Sequence, residues 1–293
     1  VKKLIGFLRL MRPANIVTAI ADILAGIAIS GFFLQSADSY SSVLLLILST
    51  IGLYAGGVVT NDVFDADLDG IERPERPIPS GLISVKEGAT LGLILLVGGV
   101  IFAFVASFSS GIIAFIIALA AVVYDKWGKH HAFWGPLNMG VCRGLNLLLG
   151  LSIIPPQVFE YWFLAIVPVI YIAAITMISQ GEVHGGKKAT LYSAGLLYGL
   201  AMAGILYVSV SQDQQLVTIF FVLLWGLMVF LPLQNAIRKP EGKMIGRAVK
   251  AGVLALILMN AAWASAFGVT YLALIIVLLL PLSILLAKVF AVT

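Results

Sequence analysis

Four carboxylates crowd into Asn61-Asp62-Val63-Phe64-Asp65-Ala66-Asp67-Leu68-Asp69, just where an apolar run from Val43 to Val59 ends. A carboxylate near the centre of a bilayer costs roughly 2.5–3.5 kcal/mol on insertion scales, so such groups are rare and functional by default. Asn61, Asp65 and Asp69 recur at i, i+4 and i+8, which stacks them on one face of a helix. That face offers hard oxygen ligands to Mg²⁺, with a substrate phosphate completing the shell. The plain alternative is a solvated acidic loop. Downstream runs Arg73-Pro74-Glu75-Arg76-Pro77-Ile78-Pro79-Ser80-Gly81. Three prolines forbid a regular helix there and predict a stiff, folded loop. Arg73 and Arg76 present planar paired donors that suit a phosphate.

Two further polar gaps could meet this one. The first is Tyr124-Asp125-Lys126-Trp127-Gly128-Lys129-His130-His131, followed by Asn138, Arg143 and Asn146. Arg143 and Asn146, at i and i+3, share a helix face that should point into a bundle rather than into lipid. The adjacent histidines are a weak metal signal, since neighbours at i and i+1 do not share a face. The second gap is Ser179-Gln180-Gly181-Glu182-Val183-His184-Gly185-Gly186-Lys187-Lys188-Ala189-Thr190. Glu182, His184, Lys187 and Lys188 can bind a metal–phosphate unit or form an ordinary loop, and the residues alone do not decide. Asn15, Thr18 and Asp22 add a polar stripe at i, i+3 and i+7 on the first apolar segment, predicting that it lines the same cavity.

These residues need a membrane scaffold. The chain has 293 residues, 61% apolar and 11% charged, with a mean hydropathy of +1.07; soluble domains carry about 25% charged residues. Ten apolar spans are predicted, at 14–34, 43–60, 88–106, 111–125, 136–154, 160–178, 190–210, 215–234, 248–268 and 271–290. Most approach the ~20 residues that cross a hydrocarbon core. The short 111–125 span and the tight break at Val269-Thr270 leave room for nine crossings and a tilted tail. Lys and Arg collect in alternate gaps, while Gln35–Ser42, Ser107–Gly111, Pro155–Glu160 and Ser211–Gln215 hold none. By the positive-inside rule both termini and the polar gaps face the cytoplasm, as in a bacterial inner membrane or its equivalent. The net charge of +4 follows from this topology and from anionic substrates, and does not suggest nucleic acid. The N-terminal apolar run is too long for a cleavable signal. Cys142, the single cysteine, excludes an intramolecular disulfide and reads as packing. Residues 1–293 are expected to form one all-α domain. The acidic motif after the second span and its altered counterpart after the sixth are consistent with two related halves.

In these motifs the chain resembles the UbiA superfamily of intramembrane prenyltransferases. The likeness rests on Arg12-Pro13-Ala14-Asn15, on Asn61-x3-Asp65-x3-Asp69 with the Arg-Pro-Ile-Pro-Ser-Gly loop, on Tyr124 with Lys126 and Lys129, and on Thr190-Leu191. It implies a bundle of about nine helices around a central cavity, capped by the loops after the second and sixth helices. It also implies transfer of a prenyl group from an allylic diphosphate to a small acceptor, with Mg²⁺ stabilising the leaving group. Carried onto this chain, Asn61, Asp65, Asp69 and Glu182 would hold metal. Asn15, Asn61, Arg73, Arg76, Lys126, Lys129, Arg143, Lys187 and Lys188 would hold or adjoin the diphosphate. Asp65, Asp69, Tyr124 and Glu182 would form the catalytic set, beside an apolar cavity for the isoprenoid.

The second acidic motif departs from the family's Asp-x3-Asp. Glu182 and Gly186 take its positions and Ser179 the upstream one, so a second Mg²⁺ is in doubt. The Gly-Glu-Val-His-Gly-Gly string is similar to a UbiA-like branch called EboC, which accompanies a small biosynthetic cluster. Its reduced acid set also fits a binding or transport protein that kept the cavity and lost the chemistry, or a scaffold in a biosynthetic complex. The acceptor stays open among aromatic, sugar-like and glycerol-phosphate compounds, and no protein partner is specified.

Overall fold

In the computed structural model, residues 2–34, 40–131, 133–182 and 185–290 are described, His130 by its backbone alone. Among them are thirteen α-helices and no strand: α1 (Lys2–Met11), α2 (Pro13–Ile29), α3 (Ser41–Phe64), α4 (Ala66–Glu72), α5 (Val85–Ala106), α6 (Phe108–Lys126), α7 (Trp134–Leu151), α8 (Pro155–Tyr161), α9 (Ile166–Ser179), α10 (Lys188–Ser211), α11 (Gln215–Arg238), α12 (Gly242–Ala266) and α13 (Thr270–Val289). A helix occupies each of the ten predicted spans. Among the described residues eight segments are long and apolar enough to cross a membrane, and a ninth if α1 and α2 count as one span bent by 41°. Helix α7 has the length, 18 residues, but its polar Asn138, Arg143 and Asn146 lower its hydropathy.

Local sequence sets the breaks. Pro13 opens α2 at a position where its missing N–H costs nothing, and Arg12 before it takes a left-handed conformation at φ +48°. Such a residue costs on the order of 1–3 kcal/mol unless its surroundings enforce it; the Arg12 ion pair to Asp62, at 2.7 Å, does so. Ser84 and Glu87 form a reciprocal capping box that starts α5. Gly268, at φ +78°, ends α12 in a Schellman turn, with Gly268 N–H donating to Ser265 O and Val269 N–H to Ala264 O. The two-residue break is therefore a tight helical hairpin, and α13 packs back on α12 and α2 instead of trailing as a tail.

Helix α12 is buried along nearly its whole membrane length. It anchors one core in which Tyr171, Tyr198, Trp225 and Trp263 are buried. A second core joins α2, α3, α5, α6 and α7 through residues such as Ile23, Leu53, Leu96, Ile117 and Leu149. Small residues let the central helices touch. A Cβ on Gly26 of α2 would sit 2.2 Å from the Leu147 carbonyl of α7, and one on Gly150 2.4 Å from the Ile23 carbonyl. Bilayer proteins gain association from such close approach, because apolar lipid offers no hydrophobic drive. Gly26→Ala is therefore expected to lower stability by about 1–3 kcal/mol through overpacking, read as the unfolding midpoint in detergent. Gly98→Ala, whose Cβ would meet nothing within 4 Å, is the control and should not lower it.

Candidate active site

The polar ends of α2, α3, α6, α7 and α9 and the loops after α4 and α9 surround one cavity of about 380 Å³. Its wall divides by chemistry. Arg12, Asn15, Asn61, Asp65, Arg73, Arg76, Tyr124, Asp125, Arg143, Asn146 and Glu182 line it together with Leu53, Val58, Ile117, Ile172, Ile175, Val253 and Leu256.

The backbone carries the acidic motif across a kink. Helix α3 stops at Phe64 and α4 starts at Ala66, yet Asp65 N–H donates to Asn61 O at 3.0 Å and Asp69 N–H to Asp65 O at 2.7 Å. The i, i+4 ladder survives, but the three side chains separate in role. Asn61 and Asp65 line the cavity. Asp65 Oδ1 accepts from Lys129 Nζ at 2.5 Å. Asp69 does not line it: its Oδ2 accepts from Arg76 Nη1 at 2.6 Å and the side chain is buried. In this structure Asp69 therefore faces Arg76 and not the cavity that Asn61 and Asp65 line. Arg76 also reaches Asp62 Oδ1 at 3.3 Å, so Asp62 collects both Arg12 and Arg76. The proline loop is folded as the sequence predicts. Arg76 N–H donates to Arg73 O, Ser80 N–H to Arg76 O and Ile83 N–H to Pro77 O, while Ile78 and Ile83 pack against Leu10 and Val59. Among the described residues Arg73 alone of the loop's two arginines makes no side-chain hydrogen bond or ion pair, and it faces the cavity.

The loop after α9 reaches the same volume through Glu182. It turns on Gly185, at φ +84°, and Gly186 N–H donates to Pro240 O at 3.2 Å. A Cβ on Gly181 would come within 2.8 Å of Gly186 Cα, so glycine is what lets the loop fold on itself. Among the described residues Glu182 Oε1 is buried without a hydrogen-bond partner. Burial raises the Glu182 carboxyl above the ordinary glutamate range, against the opposing pull of Arg73, Arg12 and Arg76.

Deeper in the bundle Asp22 organises a network. Its Oδ2 lies 2.6 Å from Arg143 Nε, as an ion pair rather than an aligned hydrogen bond, and accepts from Asn146 Nδ2 at 2.9 Å. Its Oδ1 accepts from Asn260 Nδ2 at 2.6 Å. Arg143 Nη2 donates to Thr18 Oγ1 at 2.8 Å, Thr50 Oγ1 donates to Asn146 Oδ1 at 2.7 Å, and Arg143 stands over the Tyr54 ring at 5.6 Å. Of the stripe predicted on the first segment, Asn15 lines the cavity, while Thr18 and Asp22 lie behind it in the Arg143 network, where the charge of Asp22 is met.

Three predicted site residues lie elsewhere. Lys126 folds over the Trp127 ring at 4.5 Å, and Lys187 and Lys188 are exposed and outside the cavity wall. Each sits at a helix end beside solvent, where a long ammonium side chain gains most by staying hydrated. Cys142 is a free thiol at the cavity, its Sγ 3.9 Å from Asn138 Oδ1. His184 and the His130 side chain fall outside the described residues. Sequence reasoning missed Asp125, whose oxygens meet Asn61 and Thr60, and Asn260; the only signal for either was a polar residue at the edge of, or within, an apolar span.

The donor set fits a divalent cation completed by substrate. Asn61, Asp65 and the unsatisfied Glu182 supply oxygens to one cavity, and Mg²⁺ is held by one or two carboxylates together with substrate phosphates. Among the described residues no three His, Cys, Asp or Glu side chains converge as a ready-made cage. Formally, Arg12, Arg73, Arg76, Lys129 and Arg143 face Asp22, Asp62, Asp65, Asp69, Asp125 and Glu182 in and behind the wall. Counted formally, the groups in and behind the wall carry no cationic surplus.

Comparison with known proteins gives the same frame. The profile of the UbiA prenyltransferase family matches residues 23–249. A digeranylgeranylglyceryl phosphate synthase from Methanococcoides burtonii is 35% identical over 149 residues, 49% of this chain and 53% of the relative. The chain thus spans about half the length of that curated relative. A solved digeranylgeranylglyceryl phosphate synthase superposes with a TM-score of 0.67 at 24% identity, covering 92% of this chain and 100% of that one. A UbiA homologue from Archaeoglobus fulgidus bound to GPP and Mg²⁺ gives 0.64 at 19% identity, over 86% and 99%. These structural likenesses establish the fold.

Proposed function

The chain belongs to the UbiA prenyltransferase family, and from that membership we propose that it transfers an isoprenoid chain from an allylic polyprenyl diphosphate to a small polar acceptor within the membrane. The observation that carries the reading is the divided cavity, in which oxygen ligands and the Arg73 guanidinium meet an apolar pocket. Residues 1–293 act as one domain in this reading, with the cavity mouth on the cytoplasmic side that the basic loops favour.

Each wall has its task. Asn61, Asp65 and Glu182 would hold Mg²⁺ together with diphosphate oxygens, and the ion would supply charge neutralisation to the leaving group. Arg73 offers its planar fork to a phosphate. Arg12 and Arg76, fixed by Asp62 and Asp69, hold the acidic helix end and the proline loop at a set distance and add positive potential. Lys129 keeps Asp65 turned to the cavity rim. The apolar half receives the isoprenoid and excludes water from the allylic carbon as the carbon–oxygen bond breaks. The Tyr54 and Tyr124 rings border that space, and aromatic faces attract developing cationic charge.

The test is Mg²⁺-dependent diphosphate release by the purified protein, given allylic diphosphates of ten to twenty carbons with aromatic, sugar-like and glyceryl phosphate acceptors. Release that requires both metal and acceptor supports transfer. Tight, metal-dependent donor binding with no release across the whole panel would favour the second reading, a UbiA-like isoprenoid-binding or transport protein. The single carboxylate of the second motif is the observation behind that reading.

A further inference from the structure

We propose that Asp125 is a positioning residue that decides which end of the Asn61 amide faces the cavity; the inference rests on the reading of Asn61 as a metal ligand. Asp125 lies at the end of α6, 3% exposed, and both of its carboxylate oxygens are engaged. Oδ1 accepts from Asn61 Nδ2 at 3.0 Å, and Oδ2 lies 2.8 Å from Thr60 Oγ1. An ionised carboxylate only accepts, whereas the two ends of an asparagine amide, alike in shape, differ in chemistry. Asn61 must therefore turn its NH₂ to Asp125, and its Oδ1 is directed away. A cation takes the amide oxygen and is repelled by the NH₂. Asp125 thus converts a side chain with two nearly isosteric orientations into an oxygen ligand of fixed direction.

Thr60 does not depend on this contact, because its hydroxyl also lies 3.0 Å from Gly56 O and 2.9 Å from Gly57 O. Asn61 is the partner that does. Nor is Asp125 well placed to be a ligand itself, since its side chain is buried and its Oδ1 already receives the Asn61 amide. Its part is that of the outer partners that orient metal ligands, whose loss weakens metal binding about 10–100-fold. With one carboxylate left in the second motif, the direction of each oxygen in the first carries more of the affinity.

The experiment uses the full chain in detergent and reads Mn²⁺ affinity by electron paramagnetic resonance with inorganic pyrophosphate present. Asp125→Ala is expected to weaken Mn²⁺ about tenfold. Asp125→Asn should stay within about threefold of wild type, since its carbonyl oxygen still accepts from Asn61. In an Asn61→Ala background, Asp125→Ala should add no further loss, which is the mark of a residue acting through another. Should Asn61→Ala bind too weakly to measure, the rescue by asparagine decides.

Three results would overturn the proposal. They are wild-type affinity in Asp125→Ala, additive losses in the double variant, or Asp125→Asn failing as badly as alanine with an unchanged unfolding midpoint. Wild-type protein that binds no Mn²⁺ would overturn it together with the metal assignment. Protein that binds Mn²⁺ as described but releases no diphosphate from any donor would leave Asp125 in its role and remove prenyl transfer instead.

Discussion

Asp65→Asn is expected to lower diphosphate release by about 10²–10³-fold, the size of effect seen when one fixed group that stabilises transition-state charge is removed. The substitution keeps the shape of the side chain and one oxygen, so the helix junction at Asp65, with its backbone bonds to Asn61 and Asp69, should persist. What is lost is charge. Asp65 is a cavity-lining carboxylate whose direct ion-pair partner is the Lys129 ammonium at 2.5 Å. Neutralising it weakens any divalent ion there and frees Lys129 to bind phosphate without metal. Donor binding should therefore survive better than turnover, a difference that single-turnover kinetics beside a binding isotherm will read. Asp69→Asn is the informative contrast. Asp69 holds Arg76, which keeps a second anionic neighbour in Asp62 at 3.3 Å, so its loss should loosen the proline loop more than the metal. Turnover unchanged in Asp65→Asn would remove that residue from the chemistry.

That contrast shows where the sequence was legible and where it stopped. Hydropathy placed a helix at each of ten apolar runs, of which eight, or nine with the bent α1–α2 pair, are long and apolar enough to cross among the described residues, because crossing a bilayer demands length and apolarity and little else. The i, i+4 spacing correctly put Asn61 and Asp65 at one cavity, since adjacent helical turns stay in line even through the kink. It carries no record of Arg76, seven positions beyond Asp69 and folded back by the proline loop to pair with it. Basic residues were legible as a class but not as individuals. Arg73 lines the cavity and Lys129 pairs with Asp65, while Lys126, Lys187 and Lys188 stay with solvent, and only the loop conformations separate them. Asp125 was hidden among lysines and read as part of a basic loop. The Asp22–Asn260 contact joins residues 238 positions apart, a pairing that no local window contains.

The same distant contact gives the largest expected loss of stability. Asp22 receives Asn146 and Arg143 on one oxygen and Asn260 on the other, so one carboxylate ties α2 to α7 and α12, and Asn146 extends the tie to Thr50 of α3. Removing one partner of a buried pair leaves an uncompensated charge and costs about 3–5 kcal/mol. Asp22→Ala should show that loss as a lower unfolding midpoint in mixed detergent–SDS micelles. Asp22→Asn should not escape it, because an amide supplies one acceptor where the network needs two, and turns its NH₂ on another donor. Asp22→Leu combined with Arg143→Met tests the cause. Replacing both charges by apolar side chains of similar volume is commonly neutral or better, so the double variant should recover much of the lost stability. Equal losses in the single and double variants would mean that the pairing of Arg143 is not what Asp22 supplies. Recovered stability would come with a changed site. Arg143 and Asn146 line the cavity, and the helices joined through Asp22 carry Asn15, Asn61 and Arg143 to it. The network that holds the bundle together therefore also fixes the spacing of the polar groups that line the cavity.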